Sequence, residues 1–441
     1  MSKQAYTRRH FIQTSVIGAT AMALPASSYG RILGANEKVN LAVVGLNSRG
    51  QAHITAASAT PHAAITTFCD VDNRVFDKNQ KLLSERGGEK AKTYSDIRKL
   101  LEDKNIDAIT IATPDHWHTP MAILAMQAGK HVYLEKPCSH NPQEGEWLAA
   151  VQQQTGKVVQ IGNQQRSAPT SIEAIQDIQE GIIGQVYYGK SWYSNTRGSI
   201  GLGKKAPIPE WLDWELWQGP APRREYKDNW VHYNWHWFWN WGTGEINNNG
   251  LHEMDICRWA LGVEFPVKVT SSGGRYHFQD DWEFYDTQTA SFEFEGGKML
   301  AWEGRSCNGF NHHERGRGAT LHGTEGTILL DRNAYFAYDK GGRLIKQVNE
   351  RSQSATTNVV GEGQLDVYHF ENFIDGIRRG TKLHSPAQDI RKSTLLCHLG
   401  NIAQKTGRTL NINPQNGHIL DDAEAMKLWG RAYEPGWEPK V

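Results

Sequence analysis

Three groups of residues in this chain have the types and spacing to do chemistry. Asp115-His116-Trp117-His118 follows an apolar run at 106–112, and Glu135-Lys136-Pro137 follows another at 131–134. Carboxylates, imidazoles and an amine of this kind hold charge or move protons once burial tunes them. The third group is Gly45-Leu46-Asn47-Ser48-Arg49-Gly50, directly after the β-branched run 39–45. A glycine-bounded turn between a strand and a helix presents backbone N–H groups to a phosphate. Asn47 stands at the usual second glycine; Asn tolerates left-handed backbone angles better than most residues, and its amide is within reach of a phosphate. About 20 positions past Gly50, at the end of the run 63–69, comes Asp70, where an acid takes the adenosine ribose hydroxyls. Asp72 is a second candidate. An acid here disfavours a 2′-phosphate, whereas Arg74 nearby keeps NADP open beside NAD.

These groups need a scaffold that brings strand ends together. The pattern predicts strands at 39–45, 63–69, 106–112, 131–134 and 157–161. Helices are predicted at 51–58, 97–103, 117–127 (stopped by Gly129) and 143–154. Strand, crossover helix and parallel strand repeat, and ligands sit beyond the carboxyl ends of such strands. After Gly162-Asn163-Gln164-Gln165-Arg166 the pattern changes. Strands at 186–194, 267–272, 288–295, 298–305, 320–323 and 327–330 alternate with glycine turns, as in a large, mostly antiparallel open sheet. The polar stretch 341–365 reads as a loop. The expected division is a leader over 1–35, an α/β dinucleotide-binding domain over 36–162, and an α+β substrate domain over 163–441 whose last helices pack back on the first.

The leader carries Thr7-Arg8-Arg9-His10-Phe11-Ile12, then a short Ala-rich apolar run with small residues for cleavage. Order and length fit a twin-arginine export signal rather than a permanent membrane helix. The expected location is the periplasm or another extracytoplasmic compartment, with no membrane span once the signal is removed. Forty-eight basic residues balance 48 acidic ones, so no basic field points to nucleic acid. Five scattered cysteines, an odd count without a CxxC pair, argue against a disulfide framework, and no residues are assigned to a metal. The segment from Asp228 to Trp241 holds Trp230, Trp235, Trp237, Trp239 and Trp241 with Asn and His between them. It reads as packed core or as a carbohydrate-facing loop, the second favoured because flat apolar faces beside hydrogen-bonding groups suit a sugar ring.

Glu135-Lys136-Pro137, Thr113-Pro114 with His118, and Ala128-Gly129-Lys130-His131-Val132 resemble the Gfo/Idh/MocA oxidoreductases, NAD(P)-dependent enzymes acting mostly on sugars, inositols and glycosides. The resemblance runs over most of the chain after about residue 38. It extends to a second signature, normally Asp, three residues, His, and a further Asp. Here it is Asn248, His252 and Asp255. The resemblance implies a Rossmann domain, NAD as cofactor and a homo-oligomer. It implies cofactor contacts at Thr113, His118, Glu135 and Lys136, added to Gly45, Asn47, Ser48, Arg49, Gly50 and Asp70. Gln164 serves either as a satisfied turn or as a contact near the nicotinamide. Arg166, Trp235, His236, Asn248 and His252 face substrate. Lys136 and His252 do the proton work. Asn248, neutral where the family has Asp, orients a hydroxyl but accepts no proton.

The implied activity is oxidation of a secondary hydroxyl, at ring C3 as in several family members. Free NAD is not expected outside the inner membrane, so the cofactor stays bound and is regenerated in place. A rival is redox-neutral glycoside cleavage, in which oxidation acidifies the neighbouring C–H, the aglycone is eliminated and the hydride returns. The related NAD-dependent glycosidases lack the motif lysine, so Lys136 favours the dehydrogenase. A non-catalytic sugar-binding protein is the third reading.

Overall fold

A computed structural model describes residues 38–350 and 364–441. The twin-arginine leader and residues 351–363 of the 341–365 stretch lie outside them.

The first sheet is built from β1 (Val39–Val44), β2 (Ala63–Cys69), β3 (Lys92–Tyr94), β4 (Ala108–Ile111), β5 (His131–Leu134) and β6 (Val159–Ile161), in the order β3-β2-β1-β4-β5-β6, all parallel. Helices α1 (Arg49–Ala59), α2 (Val75–Glu85), α3 (Ile97–Leu100), α4 (Asp115–Gln127) and α5 (Pro142–Thr155) connect the strands. Strands covered on both faces must be apolar throughout, and β4 is buried at all four positions. Chain order reverses between β1 and β4, so the crevice at their carboxyl ends opens there. Predicted and observed elements agree closely here. The exceptions are α2 and β3, which no predicted element covers, and the helix expected over 97–103, which ends at Leu100 and is followed by a turn in which Asp103 accepts the Asn105 amide.

The second half continues with α6 (Pro169–Gln179), β7 (Val186–Ser194), α7 (Trp214–Gln218), α8 (Leu251–Leu261), β8 (Lys268–Gly274), β9 (Thr287–Phe294), β10 (Lys298–Arg305), β11 (Arg317–Gly323), β12 (Gly326–Leu330), β13 (Ala334–Asp339) and β14 (Leu344–Asn349). It ends with α9 (Gln364–Arg379), α10 (Ala387–Thr406), β15 (Leu410–Ile412), β16 (Ile419–Leu420) and the short α11 (Ala423–Met426). The strands form one ten-stranded sheet, β14-β13-β12-β11-β7-β10-β9-β8-β15-β16. It is mostly antiparallel; β7 and β10 run parallel. Burial alternates along β9, as expected of a sheet with one face against a core. That core joins Phe292, Leu300, Leu321 and Ile328 to Ile175 of α6, Met254 and Cys257 of α8, and Leu396 of α10.

Residues 344–349 are a strand, not loop. Its side chains are largely exposed, so no apolar pattern marks it; backbone pairing with β13 does. The last helices return to the first sheet. Gln160 donates to the His369 carbonyl (2.7 Å), and Gln388 to that of Ala149 (2.9 Å). Among the described residues no helix is long and apolar enough to cross a membrane.

Candidate active site

A cleft of about 830 Å3 runs from the carboxyl ends of β1, β2, β4 and β5 to the residues that precede α8 and to the β12–β13 turn. At its first end, Gly45 leaves β1 with φ +80°, and a Cβ there would lie 2.6 Å from the Ala112 carbonyl oxygen. Gly50 is tighter still: a Cβ would lie 1.9 Å from the Gly45 carbonyl oxygen. Gly50 does not line the cleft, so its expected cofactor contact is corrected; it lets α1 approach the end of β1. The left-handed residue of the turn is Ser48, φ 45°, rather than Asn47. Asn47 lines the cleft, its Oδ1 taken by Lys78 at 3.1 Å. No side chain caps α1 and no acid lies in its first turn, so an anion meets no competitor there.

Asp70 lines the cleft, and its carboxylate accepts the Leu46 amide (2.6 Å) and the Asp72 amide (2.9 Å). Burial raises its pKa despite those amides. Asp72 is spent elsewhere, on Arg74 (2.7 Å) and on His232 (3.0 Å). Arg74 also lies over the Trp211 ring, 3.3 Å from its centroid. The residue that would welcome a 2′-phosphate is therefore committed to Asp72 and Trp211. These features fit NAD: a glycine turn at a helix start, then an acid facing the cleft. Asp70→Ala should raise the Kd for NAD about tenfold or more, the scale of lost hydrogen bonds to a charged acceptor. Isothermal titration of nucleotide-stripped protein checks this; an unchanged Kd removes Asp70 from the ribose.

Further along the cleft, Glu135 gathers charge rather than facing a ligand alone. Its Oε1 accepts Arg49 Nε (2.7 Å) and Gln164 Nε2 (2.9 Å), and lies 3.1 Å from His53 Nε2. Burial would raise this carboxyl; Arg49 and His53 override it and hold it well below the usual carboxylate range. Gln164 also donates to the Tyr133 hydroxyl (3.2 Å), which makes it a tied residue on the cleft wall. Arg49 reaches across to Asp366 at the start of α9. His118 places its two ring nitrogens against the carbonyls of Pro137 (2.6 Å) and Thr113 (2.8 Å), fixing the two strand ends together.

Lys136 projects from the end of β5 to the other wall. Its Nζ donates to the backbone carbonyl of Asn248 at 2.7 Å and to Asn248 Oδ1 at 3.3 Å. Burial lowers its pKa, against the pull of Glu135 and Asp115. Asn248 lies in a single π-helical turn, Ile246–Gly250, that runs into α8. Such turns are frequent at functional sites. His252 starts α8 and lines the same cleft, and its Nδ1 is buried without a hydrogen bond. Burial, with the charges of Arg332 and Lys136, keeps its imidazole well below the ordinary pKa and therefore neutral at physiological pH.

Arg166 and the tryptophan segment need separate accounts. Arg166 does not face substrate. It pairs in the core with both oxygens of Asp255, each at 2.8 Å, under the ring of Trp259. The tryptophan segment divides: Trp230, Trp237 and Trp241 belong to an aromatic core with Trp214 and Trp282, whereas Trp235 and His236 line the cleft, their rings stacked 3.6 Å apart. The sequence reading missed Asp366, Arg317 and Arg332 on the cleft wall. None stands in a motif, and Asp366 lies 317 positions from Arg49.

Two family models match the chain: an oxidoreductase family, NAD-binding Rossmann fold, over residues 39–163, and the same family's C-terminal alpha/beta domain over 182–438. A glycosyl hydrolase family 109 protein of Saccharopolyspora erythraea is 29% identical over 202 residues, 44% of each chain. The chain thus spans less than half the length of that relative. The scyllo-inositol 2-dehydrogenase (NAD(+)) of Bacillus subtilis is 26% identical over 66% of this chain and 74% of its own. A levoglucosan dehydrogenase solved with NADH and levoglucosan superposes with a TM-score of 0.67 at 19% identity, over 85% of this chain and 99% of that one. With both halves of the chain matched, and a glycine turn, Asp70 and the Lys136–Asn248–His252 wall around one cleft, this protein belongs to the NAD-dependent Gfo/Idh/MocA oxidoreductases.

Proposed function

We propose that the chain oxidises a secondary hydroxyl of a sugar or glycoside, at ring C3, and that it works outside the inner membrane with retained NAD. The observation that carries this reading is Lys136 Nζ held on Asn248 beside the neutral His252, in a cleft that also holds Asp70. The names of the inositol and levoglucosan dehydrogenases support a cyclic polyol as substrate. NAD, when bound, supplies the hydride acceptor. The protein's own residues handle the proton. Lys136, its pKa lowered by burial, takes the hydroxyl proton or, still protonated, steadies the developing alkoxide. His252 is neutral and so accepts a hydrogen bond rather than carrying charge. Asn248 turns its amide to the hydroxyl while its carbonyl fixes the lysine. Stacked Trp235 and His236 offer the ring a flat face.

Redox-neutral cleavage is the second reading, favoured by the relatives named as family 109 glycosyl hydrolases. One experiment separates the two. Protein is taken from the export compartment, denatured to identify released nucleotide, and in a native aliquot followed at the reduced-nicotinamide band while glycosides are added. Oxidation gives stoichiometric reduction and a keto sugar. Cleavage releases aglycone with no net reduction. Neither signal on any sugar sinks both readings, and absence of NAD sinks the retained-cofactor claim.

A further inference from the structure

Five arginines line the cleft, and four of them are neutralised. Arg49 pairs with Glu135 and Asp366, Arg197 with Glu245 (2.6 Å), Arg315 with Asp331 (2.5 Å), and Arg317 with Glu253 (2.5 Å). Arg332, on the turn between β12 and β13, has no carboxylate and makes no hydrogen bond among the described residues, and its Nε is buried without an acceptor. The acid beside it in sequence is unavailable. Asp331 accepts Arg315 Nε, the Asn333 amide (2.7 Å) and the Ala334 amide (2.9 Å). The turn is thereby locked with its own carboxylate engaged elsewhere. The charges that act on Arg332 are those of Arg317, Glu253, Asp366 and Arg49. It in turn helps to keep His252 neutral.

A guanidinium with a buried, unpartnered Nε and no carboxylate beside it is costly, and is expected where a ligand completes it. Burial and Arg317 push Arg332 down to about 9, which still leaves it cationic at neutral pH. It lines the cleft together with His252 and Arg317, and the charges of Arg49 and Asp366 also reach it. One unpaired guanidinium carries one charge and a planar fork of donors, which pairs bidentately with a carboxylate and balances its single charge.

We propose that Arg332 binds a carboxylate carried by the sugar, so that the substrate class is a uronic acid or its glycoside. This deepens the sugar-oxidising reading and rests on it for the word substrate, but its test reads binding and needs no turnover. Wild-type protein, saturated with NAD, is titrated with D-glucuronate, D-galacturonate and D-mannuronate, with their neutral parent hexoses and with the hexose 6-phosphates, by calorimetry. At least one uronate should bind about tenfold or more tightly than its parent, and tighter than the matching phosphate. In Arg332→Gln that preference should fall to within about threefold, with NAD content unchanged and Tm unchanged or raised, because the variant removes an uncompensated charge. Arg332→Lys should restore part of it. No uronate preference, a tighter phosphate, or a preference that survives Arg332→Gln overturns the proposal. Loss of NAD from the variant assigns Arg332 to the cofactor, and a large fall in Tm assigns it to the fold; each overturns it too. If uronates bind through Arg332 and no sugar is ever oxidised, the activity falls and the carboxylate site stands.

Discussion

Lys136→Met should lower kcat about a hundredfold or more while the protein keeps its NAD. The variant retains bulk at the end of β5 but loses the amine that donates to the Asn248 carbonyl. His252→Ala should lose a similar factor. The double variant should be little worse than either single one, because groups that act as a unit are not additive. The pH profile carries the sign. Burial lowers the lysine pKa, so a lysine acting as base gives a kcat/KM that rises with pH through a value below the ordinary 10.4. That limb should vanish in Lys136→Met. Asn248→Asp puts a carboxylate where Oδ1 now stands, 3.3 Å from Nζ. An anion there favours the ammonium, so the limb should move to higher pH. Wild-type turnover by Lys136→Met would remove the lysine from the chemistry and leave a nucleotide-binding fold with unassigned work.

Asp255→Ala should destabilise the protein by about 3–5 kcal/mol, the cost of leaving one member of a buried ion pair without the other. Arg166 would be left in the core with only Asp389, 3.2 Å away and partly exposed, and Ser393 would lose its acceptor. Burial alone would raise the Asp255 carboxyl, but Arg166 and Arg258 outweigh it and hold the group below the usual range. A carboxylate with a depressed native pKa stabilises above its unfolded value of about 3.9, and that contribution is lost as pH falls through the native pKa. The Tm deficit of Asp255→Ala should therefore be full at neutral pH and shrink below about pH 4. The folded fraction should keep most of its kcat. A large loss of kcat at unchanged Tm would instead place Asp255 in the chemistry, as its position in the second signature invites.

Much of this protein is legible in order along the chain. The β1–α1 turn, Asp70, the Thr113–His118 helix start and Glu135-Lys136 lie at strand ends, and strands betray themselves by apolar runs that need no partner to be recognised. Six of the strands in the second sheet show through alternation and glycine turns. β14 does not, because its side chains face solvent and only pairing with β13 defines it. Within the tryptophan segment, composition alone gives Trp235 and Trp237 equal standing. Packing decides that Trp237 stacks on Trp282 at 3.9 Å while Trp235 faces the cleft.

The backbone of the cofactor site can be read from the chain alone, because turn geometry and strand ends are set by local residues. Where charges are cancelled is fixed instead by packing between distant segments. Arg166 looked available for substrate, and the fold spends it on Asp255. Arg332 looked like one arginine among many, and the fold leaves it alone. Charge compensation depends on which residues, hundreds of positions apart, share a low-dielectric space. Arg49 and Asp366 meet only because α9 returns to α1, and no local pattern encodes that meeting.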